Sequence, residues 1–288
     1  MGYSARCTAR RRRLGTALRT LREAANVTME EAAKAIHGER TKISRQETGR
    51  HGVTQFELEA LFTLYEPKDE KLLQWLVALS DESSKRVWWR QYSKILTDDF
   101  KEMLALESEA ARISAFQPRV IPGLLQTQAY AATIIADSSD GLGQDELDRF
   151  VDVRMSRQGI FLRGDPPRYV TILTEGAIRQ QIGNPEAMSE QLRHLVALSQ
   201  TPEVELLVIP YSQGTYAKAE GSFVLYSYPT PLSFDVVQVP YLLGSLYLEE
   251  DEVVGKYQRA FEKLRASALS VRQSVELVSS VADEFERG

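Results

Sequence analysis

The sequence predicts an α+β multidomain chain, with a small all-α domain at the N-terminus and a mixed α/β domain with flanking helices after it. Two signals predict the first domain: Ala32, Ala33 and Ile36 fall at helical spacing, and a capping signal starts their helix at Thr28. Strand-like apolar runs that follow Pro166 predict the second domain. The expected boundaries are 1–66 for the first domain, 67–96 for a helical linker and 97–288 for the second domain.

The best-defined local pattern is a pair of short helices separated by a glycine turn. Thr28 and Glu31 have the spacing of a capping box, so a helix is expected to begin there. Gly38 ends it, because glycine takes a positive φ at little cost. A second helix is expected over residues 40–48, with Gly49 just after its end. This arrangement is typical of a DNA-reading helix-turn-helix.

The second helix of the pair is expected to bury Ile43 and to present basic and hydroxyl side chains outward. The outward residues are Arg40, Thr41, Lys42, Ser44 and Arg45. Arg binds guanine bidentately, hydroxyl groups bond phosphates or base edges, and Lys neutralises phosphate. We therefore expect this helix to lie in a major groove; a merely solvated basic helix is the alternative.

Charge is distributed unevenly along the chain. Residues 1–56 hold twelve Arg or Lys and five Glu, a net charge of +7. The net charge of the whole chain is −5, so the remaining residues carry −12. A basic N-terminal domain attached to an acidic one is suited to docking on DNA by one face. Four successive residues, Arg10, Arg11, Arg12 and Arg13, are expected to form an arm on the DNA backbone or in a minor groove, or else a solubilising tail.

Composition limits the class of protein. The chain has 288 residues, of which 43% are hydrophobic and 26% charged, enough for two domains with a sizeable core. No apolar stretch approaches the roughly 18 residues that span a bilayer, and no signal peptide is evident, so we expect a cytoplasmic, nucleoid-associated protein with no membrane contact. Its single cysteine, Cys7, excludes an intramolecular disulfide.

Residues 14–64 resemble the Xre or lambda-repressor-like family of five-helix DNA-binding domains, through LGTALRTLREAANVT and KISRQETGRHGVT. The resemblance implies that Arg40, Thr41 and Arg45 contact bases. It also implies that a homodimer places two recognition helices in successive major grooves, about 34 Å apart, on an inverted repeat. The implied backbone contacts are Lys42, Ser44, Thr28, Arg50 and His51, together with the four arginines at 10–13. A structural ion pair is implied between Arg22 and Glu47.

Three positions depart from the family pattern. Met29 stands where a phosphate-binding Gln is common, and Glu39 stands where a Ser or Thr usually caps the recognition helix. Gln46 replaces a usual Leu, which is expected to put a polar group at a half-buried position and lower stability.

Between the two domains lies a dense aromatic group in KRVWWRQYSKIL. Trp88, Trp89 and Tyr92 are expected to pack between the domains. The alternative is a dimer or partner surface, because Trp, Tyr and Arg are enriched at interface hot spots.

The second domain is expected to alternate helices and strands. Strand, helix and strand at the spacing of YVTIL, residues 184–196 and VELLVIP predict a βαβ unit with parallel strands. The other predicted elements are helices over 100–111, 124–134, 144–161, 251–264 and 271–285, and extended runs at SFVLYSY, DVVQVP and YLLGSLYL.

Several blocks from about residue 95 to 284 resemble the C-terminal domain of WhiJ-like actinobacterial regulators, among them ALESEAARISAFQPRVIPGLLQTQAYAATI and GSLYLEEDEVVGKY. Such regulators are called antitoxin-like because they pair with a small protein encoded beside them. The resemblance implies a transcription regulator whose C-terminal domain binds that partner. Tyr216 stands where the family commonly has His, so this chain has no imidazole group to perform any function at that position.

Catalysis is not expected, because the sequence contains no HExxH, GxSxG or P-loop motif and no metal-ligand set, and no cofactor is implied. His194 is expected to be an ordinary helix residue, and Glu107 to pair with Arg112 or with a neighbouring segment. An acid–base role for Glu107 with Glu175 is the weaker interpretation. The remaining alternative is a small-molecule-responsive repressor with an aromatic ligand pocket. That pocket would be lined by Tyr211, Tyr216, Phe223, Tyr226 and Tyr228.

Overall fold

A computed structural model describes residues 9–80, 88–138, 141, 143–215, 221–228 and 235–287. Cys7 and Tyr216 lie outside these ranges. The chain divides into two compact units; the first ends at Met103 and the second begins at Leu104. None of the helices within these ranges is long and apolar enough to cross a membrane.

The first unit contains the five predicted helices packed around one core. They are α1 (Ala9–Ala24), α2 (Met29–Ala35), α3 (Arg40–Glu47), α4 (Gln55–Tyr65) and α5 (Glu70–Ser80). The core includes Leu18, Ile43, Leu58 and Leu76. Because Leu76 is fully buried there, α5 belongs to the helical core and is not the linker that the sequence suggested. A short 3-10 helix (Trp88–Tyr92) and α6 (Asp98–Glu109) follow.

Local signals set the ends of two of these helices. Thr28 and Glu31 form the predicted capping box at the start of α2, and Thr54 and Glu57 form another at the start of α4. In each box the Thr side chain accepts from a backbone N–H while the Glu side chain accepts from the Thr amide, so two otherwise unpaired donors are satisfied. Gly49 follows α3 with φ of 71°, as its predicted position requires.

The second unit is built on one six-stranded mixed sheet, in the order β3-β2-β1-β4-β5-β6. Its strands are β1 (Arg112–Gln117), β2 (Arg168–Thr174), β3 (Val204–Ile209), β4 (Phe223–Ser227), β5 (Asp235–Tyr241) and β6 (Gly244–Leu248). The pairings β1–β2 and β2–β3 are parallel, which confirms the predicted βαβ unit, and the remaining pairings are antiparallel. Strand β1, which was not predicted from the sequence, lies in the middle of the sheet between β2 and β4.

The α-helices that accompany the sheet in the described part of the second unit are α7 (Gln128–Asp137), α8 (Gln144–Arg157), α9 (Glu175–Arg179), α10 (Pro185–Leu198), α11 (Asp251–Ser267) and α12 (Val271–Arg287). Phe261 of α11 packs against Phe223 of β4, which in turn contacts Phe116 of β1. Ser270 and Gln273 form the predicted capping contacts at the start of α12. The fold is therefore an all-α N-terminal region followed by a mixed α/β domain, as predicted.

Those aromatic residues of the proposed ligand pocket that lie in the described ranges have separate surroundings. Phe223 and Tyr226 are 2% exposed and belong to the interior, where the Tyr226 hydroxyl donates to Gln238. The Tyr228 hydroxyl donates to the Leu106 carbonyl, and Tyr211 lies on the surface. The aromatic residues of β4 are therefore part of the hydrophobic core, because the sheet is covered by helices.

Candidate nucleic-acid interface

The exposed face of α3 carries all three residues that were predicted to contact bases. Arg40, Thr41, Ser44 and Arg45 are exposed, whereas Ile43 is 1% exposed. The two sets separate because residues three and four apart share one face of a helix. The exposed face therefore combines two guanidinium groups with two hydroxyl groups.

A buried ion pair joins this helix to α1. Arg22 Nε donates to Glu47 Oε1 at 2.5 Å and Arg22 Nη2 donates to Glu47 Oε2 at 3.1 Å. Arg22 Nη1 also donates to the Val27 carbonyl at 3.0 Å. The guanidinium thus holds the end of α3 and the α1–α2 turn in fixed positions, which is the arrangement that the family resemblance implied.

Lys42 is turned inward, contrary to the prediction that it faces DNA. Its ammonium group pairs with Glu57, whose carboxylate also accepts from the Thr54 amide and from Gln46 Nε2. Burial alone would raise the pKa of Glu57, but the hydrogen bonds from Lys42 and Thr54 lower it. Lys42 therefore ties α3 to the start of α4. The T-x-x-E spacing of residues 54–57 was the available sequence signal for this network.

Gln46 is buried further than predicted, at 2% exposure. Its Nε2 donates to Glu57 and to the Gly52 carbonyl, while its Oε1 accepts no hydrogen bond from any residue that the structure describes. A buried acceptor without a donor costs stability, whereas the two bonds that Nε2 donates hold the side chain in place; a net loss of stability from Gln46 stays a prediction.

Two exposed acidic side chains meet the DNA-facing residues at the start of α3. Arg40 Nε lies 3.0 Å from Glu30 Oε1, and the Thr41 hydroxyl donates to Glu39 Oε2. Glu39 occupies the N-cap position of α3 but makes no side-chain capping bond. Both contacts are at the surface, where ion pairs contribute little, so a phosphate or base could replace the carboxylates.

The arginines at 10–13 lie in the first turn of α1 and do not form an extended arm. Arg10 donates to the carbonyls of Leu79 and Ala78 at the end of α5, and Arg12 Nη2 lies 3.4 Å from Glu102 Oε1. Arg10 and Arg12 therefore have partners inside the first unit. Arg side chains near a helix C-terminus satisfy its last carbonyls, which is the physical reason for this placement.

The other predicted contacts have mixed surroundings. Thr28 is exposed but its hydroxyl is used in the α2 capping box, and Arg50 and His51 are exposed just after α3.

Trp88 packs edge-on against Trp89 and Tyr92, with ring centroids 5.6 and 6.2 Å away. These three rings are half-buried and contact each other on the short 3-10 helix.

The carboxylates considered for catalysis in the second unit are held by separate partners. Glu107 forms a buried, bidentate pair with Arg157, at 3.1 and 2.7 Å. Of the two predicted alternatives, the structure therefore shows the pairing with another segment and not the one with Arg112. Glu175 accepts from Arg179 and from the Tyr211 amide. A cleft of about 370 Å³ lies elsewhere, lined by Gln117, Pro118, Arg119, Val120, Gln180 and Ser222.

These features define a helix-turn-helix DNA-binding protein with a mixed α/β C-terminal domain. Residues 13–75 match a family model described as a helix-turn-helix domain. Residues 100–280, more than half of the chain, match a domain of unknown function (DUF5753), and the chain belongs to that family. No curated protein and no solved structure gives a match to the chain.

Proposed function

We propose that the protein is a sequence-specific regulator of transcription of the Xre type, and that two copies read an inverted repeat. The observation that carries this proposal is the exposed face of α3, where Arg45 and Thr41 project from a helix locked by the Arg22–Glu47 pair. A rigid helix with bidentate donors is suited to reading base edges in a major groove.

Arg45 is the strongest candidate for a base contact. It is exposed, and no carboxylate among the described residues lies within ion-pair distance of it. Arg40 must give up its ion pair with Glu30 before it can bind DNA. Its contribution to the free energy of DNA binding is therefore expected to be smaller than that of Arg45. Ser44, Arg50 and His51 are exposed close by and are assigned to the DNA backbone.

Genome-wide footprinting followed by gel-shift titration tests this proposal. The Arg40→Ala/Arg45→Ala double variant should lose specific binding at protein concentrations that saturate the wild type. Arg272→Ala is the matched control, because it removes an exposed guanidinium from α12 in the second unit. Unchanged operator binding by the double variant would show that α3 does not read the bases.

For the second unit we propose binding of a small partner protein, encoded nearby, that changes DNA affinity in an antitoxin-like manner. The charge supports a basic partner, since residues 104–288 carry a formal −9 while residues 1–103 carry +4. We further propose that this unit is not catalytic, because Glu107 and Glu175 are engaged in separate ion pairs. Acidic surfaces attract basic partners and raise association rates.

The purified neighbouring small protein provides the test. It should form a complex with the full chain and alter the operator dissociation constant, with a salt-sensitive association rate. Binding without any change in operator affinity would contradict the regulatory part of the proposal, and no binding would contradict the partner itself. A thermal shift with a metabolite in place of the protein would favour the ligand-responsive alternative, for which the polar cleft at Gln117 and Gln180 is a candidate site in the described part of the chain.

A further inference from the structure

The cleft of about 370 Å³ in the second unit lies at the carboxyl end of β1. Its lining begins at Gln117, the last residue of β1, and includes Gln180, just after α9, and Ser222, just before β4. Strands β2 and β3 lie to one side of β1 and β4 to β6 lie to the other. In open α/β sheets, ligands bind outside the carboxyl ends of the strands, where the strand order reverses. The cleft therefore lies where the topology favours a ligand.

The segment that forms one wall of the cleft is held at both ends. The Thr174 hydroxyl, at the end of β2, donates to the Pro118 carbonyl at 2.7 Å. Three residues further on, the Ile121 amide donates to the Tyr130 hydroxyl at 3.2 Å, and both of these residues are fully buried. Because these contacts fix the backbone on either side, Arg119 projects from a defined position. Its side chain is exposed, so it is accessible to a ligand.

The polar side chains that line the cleft are not engaged elsewhere in the described part of the chain. Arg119 makes no hydrogen bond or ion pair to any described residue, and neither do the side chains of Gln117, Gln180 and Ser222. One guanidinium, two carboxamides and one hydroxyl group thus line one cleft with unused hydrogen-bonding capacity. A few polar groups around a cleft of about 300–1,000 Å³ are typical of a small-molecule site.

We propose that this cleft binds a small molecule through a carboxylate group, with Arg119 as the bidentate partner of that carboxylate. Among the residues that line the cleft, Arg119 alone is charged, and the paired N–H donors of a guanidinium match the two oxygens of a carboxylate. One positive charge balances a monoanion. A phosphate dianion would leave negative charge uncompensated in residues 104–288, whose formal charge is already −9. Gln117, Gln180 and Ser222 supply donors and acceptors for hydroxyl or amide groups of the same ligand.

This inference goes beyond the proposed function, because it assigns a ligand class to the cleft and requires neither DNA nor a partner protein. Isothermal titration and saturation-transfer NMR test it on the full chain without DNA, at constant ionic strength. The probes are lactate, N-acetylglycine and 4-hydroxybenzoate, each measured beside its neutral amide, and inorganic phosphate. At least one carboxylate should bind saturably, with a dissociation constant of roughly a millimolar or below. Its amide should bind about tenfold more weakly or worse, because it lacks the charge that Arg119 recognises.

Arg119→Gln should lower the affinity for the carboxylate to about that for its amide, and should leave the affinity for the amide unchanged. This pattern is a thermodynamic cycle that isolates the guanidinium–carboxylate contact. Arg149→Gln is the matched control, because Arg149 is exposed on α8 and also has no ion pair to a described residue, but does not line the cleft. It should leave both affinities unchanged. A circular-dichroism melt establishes that both variants fold, since both positions are exposed.

Failure of all three carboxylates to bind saturably would overturn the proposal and would identify the lining side chains as ordinary solvated groups. Binding that Arg119→Gln does not weaken, or that Arg149→Gln weakens equally, would show that the carboxylate binds elsewhere or responds only to general charge. Phosphate binding that is tighter than that of every carboxylate would overturn the assigned ligand class. None of these measurements involves DNA or a partner protein, so this proposal and the proposed function can fail separately.

Discussion

Replacement of Arg22 by Met is expected to be one of the most damaging single changes in the first unit. The guanidinium makes two hydrogen bonds to Glu47 and one to the Val27 carbonyl, and the side chains of Arg22 and Glu47 are 9% and 4% exposed. Met preserves most of the aliphatic stem, so the loss is mainly electrostatic. Removing one member of a buried pair costs about 3–5 kcal/mol, because the other charge stays buried.

The assay is urea denaturation followed by tryptophan fluorescence. All three tryptophans, Trp75, Trp88 and Trp89, belong to the first unit, so fluorescence reports on that unit and not on the second. A loss of about 3–5 kcal/mol is a large part of the 5–15 kcal/mol typical of a domain, so the midpoint should fall steeply with little change in slope.

Two further variants make the prediction refutable. Arg22→Met/Glu47→Leu should recover much of the loss, because neither charge is then left buried. Arg19→Met, which breaks the exposed Arg19–Glu23 pair on the same helix, should change the urea midpoint little, because solvent screens an exposed pair. If Arg22→Met costs no more than Arg19→Met, or the double variant is as unstable as the single one, the pair does not stabilise the domain in the manner described.

Three other changes test the packing of the first unit. Gly15→Ala would place a Cβ 2.6 Å from the carbonyl oxygen of Glu47, so it should lower the melting temperature of this unit by overpacking α1 against α3. Glu102→Gln should stabilise the unit at pH 7, because burial raises the pKa of Glu102 in the folded state and the charged carboxylate therefore costs stability. This gain should disappear below about pH 4, where the carboxyl group is protonated in the unfolded chain as well. Lys42→Met should lower stability in urea, yet leave the dependence of DNA affinity on salt unchanged, whereas loss of a true phosphate contact would reduce that slope by about one.

Features with a local cause could be predicted from the sequence. The capping boxes at Thr28 and Ser270 depend on residues three apart, and the parallel unit of β2 and β3 follows from strand-like runs separated by one helix. The inward turn of Ile43 follows from helical periodicity. In each case the interaction that fixes the structure lies within a few residues of the signal or within one repeating pattern.

Features that depend on distant residues could not be predicted. Strand β1 is a six-residue run whose neighbours in the sheet begin at Arg168 and Phe223, so nothing near it distinguishes a strand from the end of α6. Glu107 selects Arg157, fifty residues away, over the nearby Arg112. Lys42 turns inward because the start of α4 presents a carboxylate to it, and that contact exists only after the helices have packed.

The most direct test of whether the exposed face of α3 reads DNA uses the Arg45→Ala variant. Its dissociation constant is measured on the operator found by footprinting and on an unrelated duplex, at one fixed salt concentration. Loss of a bidentate base contact should cost about 1–3 kcal/mol on the operator, roughly a 5- to 150-fold weaker dissociation constant, and should leave the affinity for the unrelated duplex nearly unchanged. Equal weakening on both duplexes would show that Arg45 contacts only the backbone. No weakening on either would show that α3 is not the reading helix.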